Sequence, residues 1–322
     1  MSLIRADARA IPLVDGCVQC VVTSPPYWGL RDYGAAGQIG LESTPEAFVA
    51  SLVAVFAEVR RVLKNDGTVW LNLGDSYAND GKWGGETGGK QSYLPDNDRQ
   101  QVGREKRVTG LKPKDLVGIP WMVAFALRSD GWYLRASAPW LKRNVMPESV
   151  KDRPNSAVEQ IFLLSKRPVY YYDPEAVKKV GAIPAGTRAA KGSDVRSELK
   201  DVNGRPPEYW EYTGERNRRN SDWFFESWQG LIGDEDGEPL AFVVNTRPYP
   251  GAHYATFPPA LVEPCVKASS KPGDLVFDPF IGSGTVGEVA ERLSRRWVGT
   301  DISYQHLAKK RTRQRGLRLE AS

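Results

Sequence analysis

Residues 274–301, DLVFDPFIGSGTVGEVAERLSRRWVGTD, constrain the fold more than any other stretch of the chain. A short apolar run (DLVFDPF, 274–280) ends in a Gly-Ser-Gly turn, a helical segment spans Thr285 to Ser294, and a second apolar run (RWVGTD, 296–301) closes on an acid. Strand, helix and strand in such quick succession form the crossover unit of a parallel α/β sheet. Gly282 and Gly284 allow a tight turn and a close approach of backbone to ligand where a Cβ would collide. The free N–H groups at the start of the following helix face the same spot. Asp301 follows about 20 residues on, where an acid can bind ribose hydroxyls. By itself this arrangement suits NAD and S-adenosylmethionine equally well.

The other end of the chain carries a second unit of the same kind. CVQCVVTS (17–24) is apolar on both faces, as a central parallel strand is, and stops at Pro25-Pro26. A helix is expected from an N-cap at Thr44 and Pro45 at its first position, with Phe48, Leu52, Val55, Phe56, Val59, Val62 and Leu63 at helical spacing and Asn65-Asp66-Gly67 as its stop. TVWLNLGD (68–75) is the next strand. Residues 76–110, rich in Gly, Gln and charge, read as a long functional loop. A helix over 116–127 follows, then two strand-like segments, 132–142 and 157–166, that can pair as a hairpin. Residues 174–240 are irregular and mix basic with aromatic residues, and a helix is expected over 258–270. The whole reads as one α/β sheet domain built from both ends of the chain, with an excursion in the middle.

TSPPYW (23–28), at the carboxyl end of a central strand, favours S-adenosylmethionine over NAD. Ligands of open α/β sheets bind outside such strand ends. The two prolines fix the backbone, so that the Ser24 hydroxyl and the carbonyl between Pro25 and Pro26 point in set directions. Tyr27 offers a flat face to a planar ring. An aromatic amine is a poor nucleophile because its lone pair is delocalised. Two acceptors on its hydrogens favour a pyramidal nitrogen, ready for in-line attack on a positioned electrophile. Taken alone, the hexapeptide is also what a proline-bent loop closing a strand looks like.

Together these segments resemble the amino-methyltransferase family of DNA-modifying enzymes. TSPPYW is similar to its catalytic motif, DPFIGSGT (278–285) to its cofactor loop and GTDIS (299–303) to the acidic segment after it. RADA (5–8) resembles the segment whose acid lies near the cofactor's adenine, which singles out Asp7. HYATFPPALVEP (253–264) resembles the segment at the methionine end, with Thr256 and Phe257. WLKRNVMPESVKDRP (140–154) and EQIFLLSKRPVYYYD (159–173) are also similar to solitary bacterial and phage members. The catalytic motif precedes the glycine loop, the order of the family's β group.

The resemblance implies a Rossmann-like methyltransferase fold: a mixed seven-stranded sheet with one antiparallel strand, S-adenosylmethionine as cofactor and no metal. Catalytic roles then fall to Ser24, Pro25, Pro26 and Tyr27. Cofactor contacts fall to Asp7, Thr256, Phe257, Asp278, Phe280, Gly282, Gly284, Thr285 and Asp301. Residues 1–173 form the catalytic half, 174–240 the target-recognition region and 241–322 the cofactor-binding half. Serine at position 24 is usual in members that modify cytosine N4. The activity implied is methyl transfer to that amino group of a flipped base in duplex DNA. An adenine-N6 enzyme of the same design and a catalytically silent nucleic-acid-binding protein are the alternatives. A homodimer and a cognate restriction endonuclease are further partners the resemblance allows, in the cytoplasm of a bacterium or a phage-infected host.

Other signals are weaker. The net charge of +5 permits a polyanionic partner without demanding one. Arg216, Arg218 and Arg219 stand among Trp210, Tyr212, Trp223, Phe224 and Trp228, which suits DNA contact as well as a solvated charged face. Cys17 and Cys20 lack the further ligands a zinc site needs. Pro264-Cys265 lies in an apolar, helix-like segment, where core packing is expected rather than nucleophilic catalysis, and His253 is read as shaping the cofactor segment. No stretch approaches the roughly 18 apolar residues of a membrane helix.

Overall fold

The computed structural model describes residues 2–30, 36–78, 109–142, 156, 158–177, 242–243 and 258–302. Eight strands form one sheet: β1 (Ser2–Arg5), β2 (Val18–Thr23), β3 (Leu63–Leu73), β4 (Tyr133–Leu141), β5 (Val158–Ser165), β6 (Phe242–Val243), β7 (Leu275–Asp278) and β8 (Arg296–Asp301). Their order across the sheet is β1-β8-β7-β2-β3-β5-β4-β6. All neighbours pair parallel except β5, which runs against both β3 and β4. This is the expected mixed seven-stranded sheet with one reversed strand, extended at one edge by the two residues of β6. The two segments read as a hairpin are β4 and β5, paired antiparallel from Tyr133↔Ser165 to Leu141↔Val158.

Both faces of the sheet are covered, which is why β2 is mostly apolar and all six of its residues, Gln19 and Thr23 included, are buried. Val21, Val69, Leu71, Leu73 and Phe277 pack on one side with the helices α1 (Pro45–Val62) and α2 (Ile119–Ser129). Cys20, Val22, Trp70 and Val276 pack on the other side with α3 (Pro259–Ser269) and α4 (Thr285–Arg292). Successive strand residues thus feed opposite cores, as strand geometry requires.

Helix α1 starts as expected, with the Thr44 hydroxyl accepting from the Ala47 N–H at 3.2 Å. Its end differs from the expectation. Asn65-Asp66-Gly67 do not stop it: Leu63 is already extended and pairs with Val18 of β2, so the chain passes from helix to strand with no intervening turn. Helix α2 begins at Ile119, three residues later than the pattern over 116–127 predicts. Leu116 bridges Tyr77 and the Val117 N–H bonds the Ser76 carbonyl, so these residues close the base of the long loop instead. Strand β1 has no local signal and exists through its pairing with β8. Residues 79–108 of the long loop and 178–240 of the central excursion lie outside the described residues. No helix among the described residues is long and apolar enough to cross a membrane.

Candidate active site

Parallel strands that share one direction deliver their carboxyl ends to one edge of the sheet, and the motifs collect there. The carboxyl ends of β1, β8, β7, β2 and β3 carry, in that order, the segment of Asp7, Asp301, DPFIGSGT, TSPPYW and Asp75. β5 runs the other way, so its amino end and Glu159 reach the same edge. Glu159 stands opposite Trp140 in the register with β4, one position beyond Gln160, which pairs with Leu73.

In TSPPYW, Pro25 is buried and Ser24, Pro26 and Tyr27 are half-buried. Trp28 anchors the segment. Its ring is in the core, and its indole N–H donates to the Glu42 carbonyl at 2.9 Å. The Tyr27 ring lies against Gly74, where a Cβ would come within 2.5 Å of the ring, so only glycine leaves it room. The Tyr27 hydroxyl donates to Glu159 Oε2 at 2.5 Å and accepts from Asn72 Nδ2 at 2.7 Å. Ser24 Oγ donates to the same hydroxyl at 3.4 Å. Asn72 Nδ2 also donates to Glu159 Oε2 at 2.7 Å, and Lys142 pairs with Glu159 Oε1. Burial and the neighbouring Glu159 charge push the Tyr27 phenol well above its ordinary range, so it stays protonated.

One hydrogen bond ties this segment to the glycine loop: Thr23 Oγ1 donates to Asp278 Oδ1 at 2.7 Å, between the ends of adjacent strands. The same oxygen accepts from the Phe280 N–H at 3.0 Å. Burial pushes the Asp278 carboxyl up to about 7, against the opposing pull of Thr23 and the Phe280 amide. Gly282 (φ 46°) and Gly284 (φ 84°) occupy the left-handed region. No side chain caps the amino end of α4 behind Gly284, which leaves an anion- and dipole-binding helix end facing the loop. Thr285, its first residue, is buried. The Asp301 carboxylate accepts from the Gly282 N–H at 3.1 Å and so helps to hold the turn. Arg5 pairs with Asp301, so Asp7, two residues past the end of β1, emerges at the same edge. A two-pronged contact from Arg9 holds the Asp7 carboxyl below its usual range.

The structure therefore brings Ser24, Pro25, Pro26, Tyr27, Asp7, Asp278, Phe280, Gly282, Gly284, Thr285 and Asp301 to one edge of the sheet. Thr256, Phe257, His253, Arg216, Arg218 and Arg219 lie outside the described residues. Asp75, at the end of β3, has a structural role at this edge. It accepts from the Gly118 and Ile119 N–H groups at 3.0 Å and thereby caps α2. Cys265 is a core residue of α3, and burial raises its thiol well above the range of an activated nucleophile. Among the described residues no cluster of His, Cys, Asp or Glu could hold a metal ion. Sequence reasoning missed Asn72, Glu159 and Lys142. The available signals were an amide inside the apolar TVWLNL run and a lone acid opening the apolar EQIFLL run.

Comparison with known proteins agrees with this geometry. A family model described as DNA methylase matches residues 18–310. The chain is 43% identical over 312 residues to the type II methyltransferase M.Cfr9I of Citrobacter freundii, covering 95% of this chain and 85% of the relative. It is likewise 43% identical over 317 residues to M.SmaI of Serratia marcescens, covering 97% and 91%. Among solved structures, the PvuII DNA methyltransferase (cytosine-N4-specific) superposes with a TM-score of 0.59 at 18% identity, covering 96% of this chain and 85% of that one. A DNA modification methylase of Thermus thermophilus, solved with S-adenosylmethionine, gives 0.54 at 22% identity, covering 97% and 93%.

Proposed function

Since the chain belongs to the DNA methylase family, we propose that it moves a methyl group from S-adenosylmethionine to the exocyclic N4 amino group of cytosine in duplex DNA. The observation that carries this reading is the 2.7 Å bond between Thr23 and Asp278, which locks TSPPYW beside the glycine loop. An acceptor site and a cofactor cradle then share one edge of the sheet. Ser24 in the SPPY arrangement supports cytosine over adenine.

The residues fit the cofactor: two left-handed glycines and an uncapped helix end suit its carboxylate, and the acids Asp7 and Asp301 suit its hydroxyl and cationic groups, with Asp278 at the base of the loop. Phe280 and Thr285, with Thr256 and Phe257, complete the proposed contacts. When bound, S-adenosylmethionine supplies an electrophilic methyl group. The target base must leave the stack, because its amino group cannot meet a cofactor from inside the helix. Tyr27 packs on the extruded ring. Ser24 Oγ and the Pro25 carbonyl accept the amino hydrogens and free the nitrogen lone pair for direct attack. Pro25 and Pro26 fix the direction of those acceptors. We assign the central region, residues 174–240, to target recognition, with Arg216, Arg218 and Arg219 gripping DNA.

The test is incubation with labelled S-adenosylmethionine and unmethylated plasmid, followed by nucleoside analysis. N4-methylcytosine supports the proposal. N6-methyladenine replaces it with the adenine enzyme of the same design. Cofactor binding without any label on DNA selects the silent binding protein.

A further inference from the structure

We propose that Glu159 is a positioning residue for the methyl-acceptor site, acting through the Tyr27 hydroxyl to make Ser24 an acceptor. The inference rests on the reading of TSPPYW as that site. A carboxylate held by Lys142 can only accept hydrogen bonds, so at 2.5 Å the Tyr27 O–H must point at Glu159. The Asn72 amide nitrogen can only donate; it donates to Tyr27 and Glu159 at 2.7 Å each, and Ser24 Oγ lies at the far limit of its reach, 3.5 Å away. The remaining lone pair of the Tyr27 oxygen then faces Ser24, whose hydroxyl donates to it at 3.4 Å. With its own proton turned inward, the Ser24 oxygen presents only lone pairs to a bound amine. Each O–H dipole in the chain from Ser24 to Tyr27 to Glu159 is oriented by the one beyond it, and the buried negative charge terminates the series. As the amine attacks, it gains positive charge, and this fixed series of dipoles, negative ends toward the amine, stabilises that charge without having to reorganise.

Two features argue that the cluster serves the site rather than stability. The Glu159 and Lys142 side chains are only 12% and 19% exposed, and a pair this buried gains little once desolvation is counted. Asn72 Oδ1 is buried with no hydrogen-bond partner, although the Asn72 nitrogen is fully engaged. An apolar residue at position 72 would avoid that penalty. Lys142 is itself set by the Trp140 ring, 4.4 Å from its ammonium group. The catalytic motif is thus supported from β3, β4 and β5, three strands that carry no part of it.

The experiment compares the parent chain with Glu159→Gln, Tyr27→Phe and the double variant. It measures kcat and KM for methyl transfer to DNA, the Kd for S-adenosylmethionine, and urea midpoints. Glutamine keeps the size of Glu159 but brings an N–H that cannot satisfy both Tyr27 and Lys142. We expect Glu159→Gln to lower kcat about ten- to a hundred-fold, the scale of one charge-assisted hydrogen bond. Cofactor Kd and DNA KM should stay within about two-fold. In the Tyr27→Phe background the same substitution should change kcat by less than about two-fold, because the group it acts through is gone. A parent chain that methylates no DNA overturns the reading and the inference together. Overturning the inference alone takes an active parent in which Glu159→Gln keeps the parental kcat, or lowers it by the same factor with and without the Tyr27 hydroxyl. A Glu159→Gln chain that loses kcat, cofactor binding and urea midpoint together would assign Glu159 a structural role and overturn it as well.

Discussion

Asp278 sits where strand β7 meets the glycine loop, and its burial makes it a carboxyl that titrates near neutrality, at about 7 instead of the ordinary 3.8. Between those two values the folded chain holds a proton that the unfolded chain has lost, so stability falls as pH rises through this window and levels off above about 7. Asp278→Asn keeps an acceptor for Thr23 and for the Phe280 amide but removes the titration. Urea unfolding at pH 5 and pH 8 should show the parent losing on the order of 1–3 kcal/mol more than the variant between the two conditions. Equal pH slopes would show that Asp278 is ionised throughout. At this scale the sequence was informative where a residue stands inside a motif, as Asp278, Ser24 and Gly284 do. It was silent on Glu159 and Asn72, because an acid at the start of a strand is ordinarily a solvated end. Only the reversed direction of β5 turns it toward Tyr27.

Elements were legible where their cause is local. Helix α1 could be read from Thr44, Pro45 and the Phe48–Val62 spacing, since capping and burial both act within a few residues. Its end could not, because Leu63 is recruited by a ladder with Val18, forty-five residues earlier. Strand β1 was missed for the same reason: its partner β8 stands at the far end of the chain. Helix α2 shows the consequence most clearly. Its own N-cap is Gly118 (φ 84°), which contributes no side chain, and the cap arrives from Asp75 at the end of β3. Asp75→Ala should therefore destabilise the fold by roughly 1–2 kcal/mol, the cost of losing a helix cap. Asp75→Asn, with one acceptor left for the Ile119 N–H, should cost less. The order of the three urea midpoints checks this. A parental midpoint for Asp75→Ala would show that the Asp75 carboxylate does not stabilise α2.

For the whole molecule, the strand order explains how motifs from opposite ends of the chain become neighbours. β2 from the amino-terminal half lies between β7 and β3, and β1 closes the sheet on β8, so the proposed cofactor side of the site draws on both ends of the chain. Local patterning revealed the two half-sheets but not their interleaving, which depends on pairings more than 250 residues apart, such as Val21↔Phe277. Strand β1 exposes Ser2 and Arg5 and only half-buries Leu3 and Ile4, so its contribution to the core is small. Its contribution to the site is larger, because the Arg5↔Asp301 register sets where Asp7 emerges. Deleting residues 2–5 should then lower folding stability by only about 1–2 kcal/mol, the scale of two partly buried side chains. The same deletion should weaken S-adenosylmethionine binding about ten-fold, the equivalent of one lost contact. Calorimetric titration of the truncated chain beside Asp7→Ala separates the causes. Similar losses in both would place the effect in the Asp7 carboxylate, while full affinity in the truncated chain would show that β1 only covers the edge of β8.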